Sequence, residues 1–239
     1  MIPEISLVVP VMNEADNVEP LVEEIARALD GRSFEVLYVD DGSTDDTVSV
    51  LAALQKTRPW LRVLRHAENC GQSASIRTGI DAARAQIVAT IDGDGQNDPA
   101  DLPRLIDHLA ATAPTVGMVS GKRMKRQDTY MKRLGSRFAN GVRSRLLNDG
   151  TTDTGCGLKA FRRSAFIRLP YFDHMHRFLP ALMQRDGYQV EFVDVNHRPR
   201  LHGASHYGNL DRLLVGITDL AGVMWLRRRG RRPSAVFED

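Results

Sequence analysis

Short apolar runs and amphipathic segments alternate along the first half of the chain. Five runs rich in Val, Ile and Leu have the length of buried strands: Ile5–Val9, Glu35–Val39, Leu61–Leu64, Ile87–Ile91 and Val116–Ser120. Four segments between them have helical periodicity: Val18–Leu29, Thr47–Gln55, Gln72–Ala85 and Leu102–Ala111. Ser43–Asp46 and Asp98-Pro99 supply capping chemistry for the second and fourth helices. This alternation predicts an α/β fold with a doubly wound, mostly parallel sheet, which binds ligands beyond the carboxyl ends of its strands.

The second half of the chain has a less regular pattern. It predicts helices at Lys132–Leu147, His176–Arg185 and Asn209–Leu226, and extended segments at Gly155–Phe161 and Gln189–Asn196. The longest apolar stretch, Leu213–Leu226, contains Asp219 and is shorter than the roughly 20 apolar residues that cross a bilayer. We therefore expect a main domain over residues 1–208, followed over residues 209–239 by an amphipathic helix and a basic tail.

Charge is distributed unevenly along the chain, although its net charge is only +2. Residues 1–121 carry 9 Lys/Arg and 19 Asp/Glu, whereas residues 122–239 carry 23 and 11. A basic second half predicts an anionic partner such as phosphates, a membrane surface or nucleic acid, the alternative being a solvated basic face. Cys70 and Cys156 have neither zinc nor disulfide spacing, which fits a reducing compartment, and no signal peptide is evident.

Acidic residues follow three of the predicted strands. The first strand ends in Pro10-Val11-Met12-Asn13-Glu14, the second in Asp40-Asp41-Gly42-Ser43, and the fourth in Asp92-Gly93-Asp94-Gly95-Gln96. Two carboxylates two residues apart suit a divalent cation held against a nucleotide diphosphate, and the glycines leave room for a ligand close to the backbone. Asp40 and Asp41 alone would fit an ordinary turn. Three acidic strand ends at one sheet edge favour a nucleotide pocket.

Other binding motifs do not fit these residues. A calcium-binding EF-hand loop starting at Asp92 would need Gly and Glu where the chain has Asn97 and Pro103. The glycine fingerprint of dinucleotide-binding folds and the Walker phosphate loop are both missing. His174 and His176 lack further ligands for zinc, so we expect His176 to be a polar or structural group near an acceptor site. Cys156 is expected to be a small packed residue.

The ordered motifs resemble a known enzyme family. VVPVMNE, VDDGSTDDT and DGDGQNDP look like the nucleotide-sugar domain of glycosyltransferase family 2, which has the GT-A fold. Four further segments narrow the resemblance to the dolichol-phosphate mannosyltransferase branch, the polyprenyl-phosphate glycosyltransferases: Ser120–Arg123, Asp153–Lys159, His176–Pro180 and Arg200–Ser205. The resemblance covers roughly residues 3–210. It implies a GT-A domain with amphipathic interface helices in the C-terminal half.

The resemblance also implies a role for each matching residue. The nucleotide sugar would be bound by residues from all three strand ends: Pro10, Asn13, Glu14, Asp40, Asp41, Asp92, Gly93 and Asp94. Asp94 and Gln96 would bind Mg²⁺ or Mn²⁺ on the diphosphate, while Asp92 would lie beside the sugar. Arg123, Arg133 and Ser136 would receive the lipid phosphate. Asp92, Asp94 and Arg200 form the implied catalytic set. The chain departs from the family at His206, where many members have Lys.

The predicted acceptor region is strongly basic. Lys122–Arg145 holds nine Lys/Arg and one acid, Asp128, and four apolar residues at four-residue steps would form one helix face: Leu134, Phe138, Val142 and Leu146. A core-facing helix would show the same stripe. Trp225 and the basic run Arg227–Arg232 shift the interpretation towards the surface of an anionic membrane. Nucleic-acid binding has little support because no aromatic stacking platform is visible.

Together these features predict a metal-dependent, inverting glycosyltransferase. It would move a sugar from a GDP- or UDP-linked donor to a polyprenyl phosphate at the cytoplasmic face of the membrane, either alone or with a membrane-embedded partner subunit. Two alternatives remain open: transfer to a hydroxyl of a lipid or polysaccharide, and a non-catalytic nucleotide-sugar-binding subunit. No Q-x-x-R-W motif of polysaccharide synthases stands at the expected place. The sugar, the base, the lipid and the oligomeric state are not specified by the sequence.

Overall fold

The computed structural model describes residues 2–124, 143, 145–151, 153–199 and 209–230, without the side chains of residues 209–214. Most of the helix predicted at Lys132–Leu147 lies outside these residues. The described part contains seven strands in one sheet: β1 Ile5–Val11, β2 Phe34–Asp40, β3 Leu61–Arg65, β4 Ile87–Thr90, β5 Val116–Arg123, β6 Lys159–Arg162 and β7 Gln189–Val195.

The strand order is β3-β2-β1-β4-β6-β5-β7. Strands β3, β2, β1 and β4 are parallel, and β7 is parallel to β5. Strand β6 runs antiparallel to both of its neighbours, β4 and β5. The mostly parallel sheet is confirmed. The extended segment predicted at Gly155–Phe161 starts too early, because residues 154–155 form a turn and residues 156–158 are irregular before β6 begins at Lys159.

The helices agree closely with the sequence pattern in the first half of the chain. They are α1 Ala15–Ala28, α2 Thr47–Gln55, α3 Gln72–Ala82, α4 Leu102–Ala111, α5 Arg163–Phe166, α6 Leu179–Arg185 and α7 Asn209–Arg229. Asp98 accepts a hydrogen bond from the amide of Ala100 and so caps the 3-10 turn that leads into α4. The helix predicted at His176–Arg185 is divided into a 3-10 turn, Met175–Arg177, and α6, in whose first turn Pro180 lies.

Two hydrophobic cores cover the two faces of the sheet. On one face, α1, α2 and α4 contribute Val22, Leu51 and Leu105 to a single apolar cluster. On the other face, α3 and α6 contribute Ile80 and Leu182, and α5 and α7 extend the cluster. Alternate residues of β1 enter opposite clusters, as the pleat of a strand requires. The doubly wound prediction is therefore confirmed, whereas the division of the chain at residue 208 stays a prediction.

Close packing of α3 on the sheet depends on Gly79. A Cβ atom added there would lie 2.3 Å from Cγ1 of Val8, whereas one added at Gly216 of α7 meets nothing within 4 Å. We expect Gly79→Ala to lower the free energy of unfolding by about 1–3 kcal/mol through overpacking. Gly216→Ala should instead leave it unchanged or raise it by up to about 1 kcal/mol. Urea unfolding of both variants tests this, and equal effects would contradict the packing assignment.

Candidate functional site

The loops after β1 and β2 are bound to each other by side-chain hydrogen bonds. Asn13 has a positive φ of 55°, and its side-chain oxygen accepts a hydrogen bond from the amide of Thr44 at 2.8 Å. The Asn13 amide donates to Oγ of Ser43 at 2.9 Å, and the Glu14 amide donates to Oγ1 of Thr47 at 2.9 Å. The two acidic strand ends predicted from the sequence are thereby held as one rigid edge.

Asp40 and Asp41 are both buried at the end of β2. The Asp41 carboxylate accepts hydrogen bonds from the amides of Cys70 at 2.9 Å and Gly71 at 2.8 Å, and from Nδ1 of His66 at 2.7 Å. Asp41, His66 and Cys70 bring their potential metal-ligand atoms within 4.8 Å of one another. The hydrogen bonds explain why these three groups lie close together without a metal ion, because both Asp41 carboxylate oxygens already accept from N–H groups.

The Asp92–Gln96 loop approaches β1 more closely than any side chain at its second position would allow. A Cβ atom on Gly93 would lie 2.4 Å from Cγ1 of Val11. Asp94 accepts a hydrogen bond from the Gln96 amide at 3.1 Å, and the Gln96 carbonyl accepts one from the Arg198 amide at 2.8 Å. The loop is thus joined both to β1 and to the segment that follows β7.

Asp92 lies between the start of α3 and the irregular segment that contains Gly157. Nε2 of Gln72, the first residue of α3, donates a hydrogen bond to its carboxylate at 2.8 Å. A Cβ atom on Gly157 would lie 2.2 Å from the same carboxyl group, so this close contact requires glycine. Burial and the negative charge of Asp94 raise the pKa of Asp92 to about 6, against the opposing influence of Lys159 and Arg123.

A partly buried arginine and a buried lysine lie beside these carboxylates. Arg123 at the end of β5 makes a forked contact with Asp153, at 2.7 Å through Nε and 2.6 Å through Nη2. Burial alone would lower the pKa of Arg123, but its hydrogen bonds to the Asp153 carboxylate raise it. Lys159 is only 6% exposed, and burial lowers the pKa of its ammonium group. Both cations are within electrostatic reach of Asp92.

His176 packs against the first turn of α3. Its Nδ1 lies 2.8 Å from Oγ of Ser73, and the same oxygen accepts a hydrogen bond from the His176 amide at 3.2 Å. Burial, together with the nearby Arg177, lowers the pKa of His176 to about 3, so the ring is neutral at physiological pH. The helix that carries Gln72 and Ser73 therefore connects Asp92 to the loop of His176.

The residues predicted from the sequence divide into two groups. Those of the nucleotide-sugar set and Gln96 lie together at the carboxyl ends of the adjacent strands β2, β1 and β4. Arg133, Ser136, Arg200 and His206 lie outside the described residues, and their roles stay predictions. Sequence reasoning assigned no role to Gln72, Asp153 or Lys159. The sequence did contain an indication that Lys159 is functional, because it is a lysine between apolar residues at the start of a buried strand.

Comparison with known proteins identifies the family. The glycosyl transferase family 2 pattern matches residues 6–169 of this chain. The chain belongs to glycosyltransferase family 2. The glucosyl-3-phosphoglycerate synthase of Mycobacterium tuberculosis, solved with Mn²⁺, UDP and glucosyl-3-phosphoglycerate, superposes with a TM-score of 0.71 over 97% of this chain and 82% of that one, at 21% identity. The GT-A fold expected from the sequence motifs is therefore confirmed.

Curated relatives show which branch of family 2 the chain resembles. It is 36% identical to a dodecaprenyl-phosphate galacturonate synthase of Rhizobium johnstonii over 98% of this chain and 70% of that protein. It is 33% identical to an undecaprenyl-phosphate 4-deoxy-4-formamido-L-arabinose transferase of Edwardsiella ictaluri over 85% of this chain and 63% of that protein. The chain thus spans about two thirds of the length of these relatives.

The raised pKa of Asp92 has a consequence for stability in metal-free protein. Between pH 3.8 and about 6 the folded state retains a proton that the unfolded state loses, so the free energy of unfolding falls as the pH rises through this window. Asp92→Asn stays neutral at every pH. We expect it to raise the free energy of unfolding by about 1–2 kcal/mol at pH 7.5, after discounting for partial exposure, and by little at pH 4.

Thermal unfolding in EDTA at both pH values measures this effect. Asp107→Asn is the matched control, and its effect on stability should have the opposite sign, since the hydrogen bond from Arg32 lowers the pKa of Asp107. That variant should lose stability at pH 7.5. A lower melting temperature for Asp92→Asn at pH 7.5 than for the unmodified protein would contradict the assignment.

Proposed function

We propose that this chain is an inverting glycosyltransferase that moves a sugar from a nucleotide diphosphate sugar to a polyprenyl phosphate. The observation that carries the proposal is the meeting of three acidic strand ends with two cations, the partly buried Arg123 and the buried Lys159, at one sheet edge. Two relatives, a dodecaprenyl-phosphate galacturonate synthase and an undecaprenyl-phosphate 4-deoxy-4-formamido-L-arabinose transferase, support the same acceptor class. A nucleotide diphosphate and a lipid phosphate are both anions, so the site needs cations as well as carboxylates.

On the donor side, Asp40 and Asp41 are suited to the polar edge of a nucleoside. One oxygen of Asp40, Oδ1, is buried and has no hydrogen-bond partner among the described residues. A buried carboxylate oxygen without a donor is costly, and an N–H of a base or a ribose hydroxyl would satisfy it. The choice between GDP- and UDP-linked donors stays open.

The residues of the Asp92–Gln96 loop fit a divalent cation. Asp94 and Gln96 offer carboxylate and amide oxygens, the ligands that Mg²⁺ and Mn²⁺ favour. The negative charge of Asp94 also raises the pKa of Asp92, so the pair carries repulsion that a nearby cation would relieve. Held by Asp94 and Gln96, the cation would supply positive charge to the leaving diphosphate.

The protein's own residues would hold the two anionic substrates close together. A strong general base is not needed, because the acceptor phosphate is already ionised. A phosphate monoester has a second pKa of about 6, so its oxygen is already a nucleophile at neutral pH. Asp153 holds Nε and Nη2 of Arg123, and Nη1 has no hydrogen-bond partner among the described residues, so this nitrogen would donate to the acceptor phosphate from a fixed orientation. Attack on the anomeric carbon from the face opposite the diphosphate inverts its configuration.

Contact with a membrane surface is the second part of the proposal. In the described residues, no helix is long and apolar enough to cross a membrane. Helix α7 buries Val223 against the core but leaves Ile217 58% and Trp225 59% exposed on other sides. Arg227, Arg228 and Arg229 form its last turn. Exposed apolar residues beside arginines suit the headgroup layer of an anionic membrane.

Loss of the cation-binding carboxylate should abolish transfer without unfolding the protein. We expect Asp94→Asn to lower the rate by about 100-fold or more, because it removes charge from the cation site. The assay incubates the protein with Mn²⁺, undecaprenyl phosphate and a panel of labelled nucleotide sugars, and measures label in the organic phase. Asp81→Asn, in an exposed ion pair with Arg77 on α3, is the matched control and should retain full activity.

The same assay discriminates the acceptor classes. Label in the lipid phase for one donor supports the proposal and identifies the sugar. Label confined to a soluble or polymeric product, or full activity of Asp94→Asn without added metal, would contradict it. Binding of nucleotide sugar without any product from any acceptor would favour a non-catalytic subunit.

Trp225 provides a test of membrane binding. We expect Trp225→Ser to weaken binding to vesicles containing phosphatidylglycerol by about 5-fold or more, since an interfacial aromatic side chain is lost. Ile2→Ser removes another exposed apolar side chain, one that precedes β1 and is not part of α7, and should have no effect on vesicle binding. Vesicle sedimentation at two salt concentrations measures both. Equal binding of all three proteins would show that α7 does not contact the membrane.

A further inference from the structure

Lys159 is a buried cation with spare hydrogen-bonding capacity. Its side chain is at the start of β6, and its ammonium group donates to the carbonyl oxygen of Cys156. An ammonium group has three N–H donors. No second hydrogen-bond partner of Lys159 is found among the described residues. A buried charge with unused donors is expensive to maintain unless a ligand or a counter-ion uses them.

The strand register places Lys159 on the same face as the catalytic carboxylate. Thr90 of β4 pairs directly with Lys159 of β6, and the two strands are antiparallel. Residues two apart in an extended chain share a face. Asp92 comes two residues after Thr90, and Gly157 two residues before Lys159, which agrees with the contact between Gly157 and the Asp92 carboxyl group. The hydrogen bond from Thr90 Oγ1 to the Gly157 carbonyl, at 2.7 Å, fixes this register.

The neighbouring charges leave Lys159 without an exclusive counter-ion. The groups within electrostatic reach of it are Asp92, Asp153, Arg123 and the Cys156 thiol. Asp153 is already engaged by both arms of the Arg123 fork. Asp92 accepts its hydrogen bond from Gln72. Asp92 therefore acts on Lys159 through space, and among the described residues the ammonium group donates a hydrogen bond to the Cys156 carbonyl alone.

We propose that Lys159 binds a phosphate oxygen of one of the two substrates, either the donor diphosphate or the lipid phosphate. The inference rests on the proposed function, because both ligands are substrates of that reaction. Lys159 would then be a phosphate-binding residue of the site, located on β6, the antiparallel strand between β4 and β5. Its compact ammonium group can bind a phosphate oxygen as a point charge.

The alternative role of Lys159 is to neutralise Asp92 and nothing more. In that case its removal would destabilise the protein by leaving a buried carboxylate unpaired, but it would not change affinity for phosphates once Asp92 is neutral. The two roles therefore differ in the Asp92→Asn background, where no charge on Asp92 is left to neutralise.

The test compares Lys159→Met in the unmodified protein and in Asp92→Asn. Calorimetric titration with UDP and GDP in the presence of Mn²⁺ measures donor-side affinity. Binding of undecaprenyl phosphate in detergent micelles measures acceptor-side affinity. We expect Lys159→Met to weaken one of these two affinities by about 10-fold or more in both backgrounds, which corresponds to loss of one charged hydrogen bond. Whichever ligand is affected identifies the source of the phosphate.

Lys56→Met is the charge-matched control. Lys56 is exposed at the C-terminal end of α2 and belongs to no predicted binding set, so its loss should leave both affinities unchanged. Unchanged affinities for both ligands in Lys159→Met/Asp92→Asn would overturn the inference. If Lys159→Met alone fails to fold, the affinities of Lys159→Met/Asp92→Asn test the inference, since this variant removes the charges of Lys159 and Asp92 together. Absence of any binding by the unmodified protein would contradict the proposed function instead.

Discussion

The arrangement of the site depends on one electrostatic constraint, the confinement of several carboxylates at one edge of the sheet. Asp41 is stabilised by backbone amides, whereas among the described residues Asp92 accepts a hydrogen bond only from the side-chain amide of Gln72 and lies against Gly157. Like charges so close together are tolerated only when donors or cations compensate them. The neighbouring features are understood in these terms: the glycines that permit close approach, the helix that begins at Gln72, and the cations on β5 and β6.

Much of the fold could be predicted because the first half of the chain follows local rules. Helices α2 and α4 were predicted with their observed bounds, and the five strands of that half were found within a few residues. The antiparallel insertion of β6 could not be predicted. A short apolar run has the same composition in either direction, so strand polarity is decided by long-range pairing with β4 and β5.

Sequence motifs predicted the site residues that directly follow a strand, but they did not predict the residues that reach the site only through the fold. The residues at the ends of β1, β2 and β4 are contiguous in sequence with their strands, so a pattern locates them. Gln72 and Lys159 come from a helix start and an antiparallel strand, and they meet Asp92 only after the chain has folded. Arg133, Ser136 and Arg200 depend on family resemblance and stay predictions.

The direction of β6 has a consequence for how such an enzyme diversifies. Strand β5 ends at Arg123 and β6 begins at Lys159, and because the two are antiparallel, both ends lie at the same edge of the sheet. The connection between these strands therefore begins and ends beside the donor-side loops and does not have to cross the sheet. One of its described residues, Leu147, is fully buried in the core that α3 and α6 share. A change in this acceptor-side connection is therefore compatible with an unchanged donor-binding sheet only where that packing is retained.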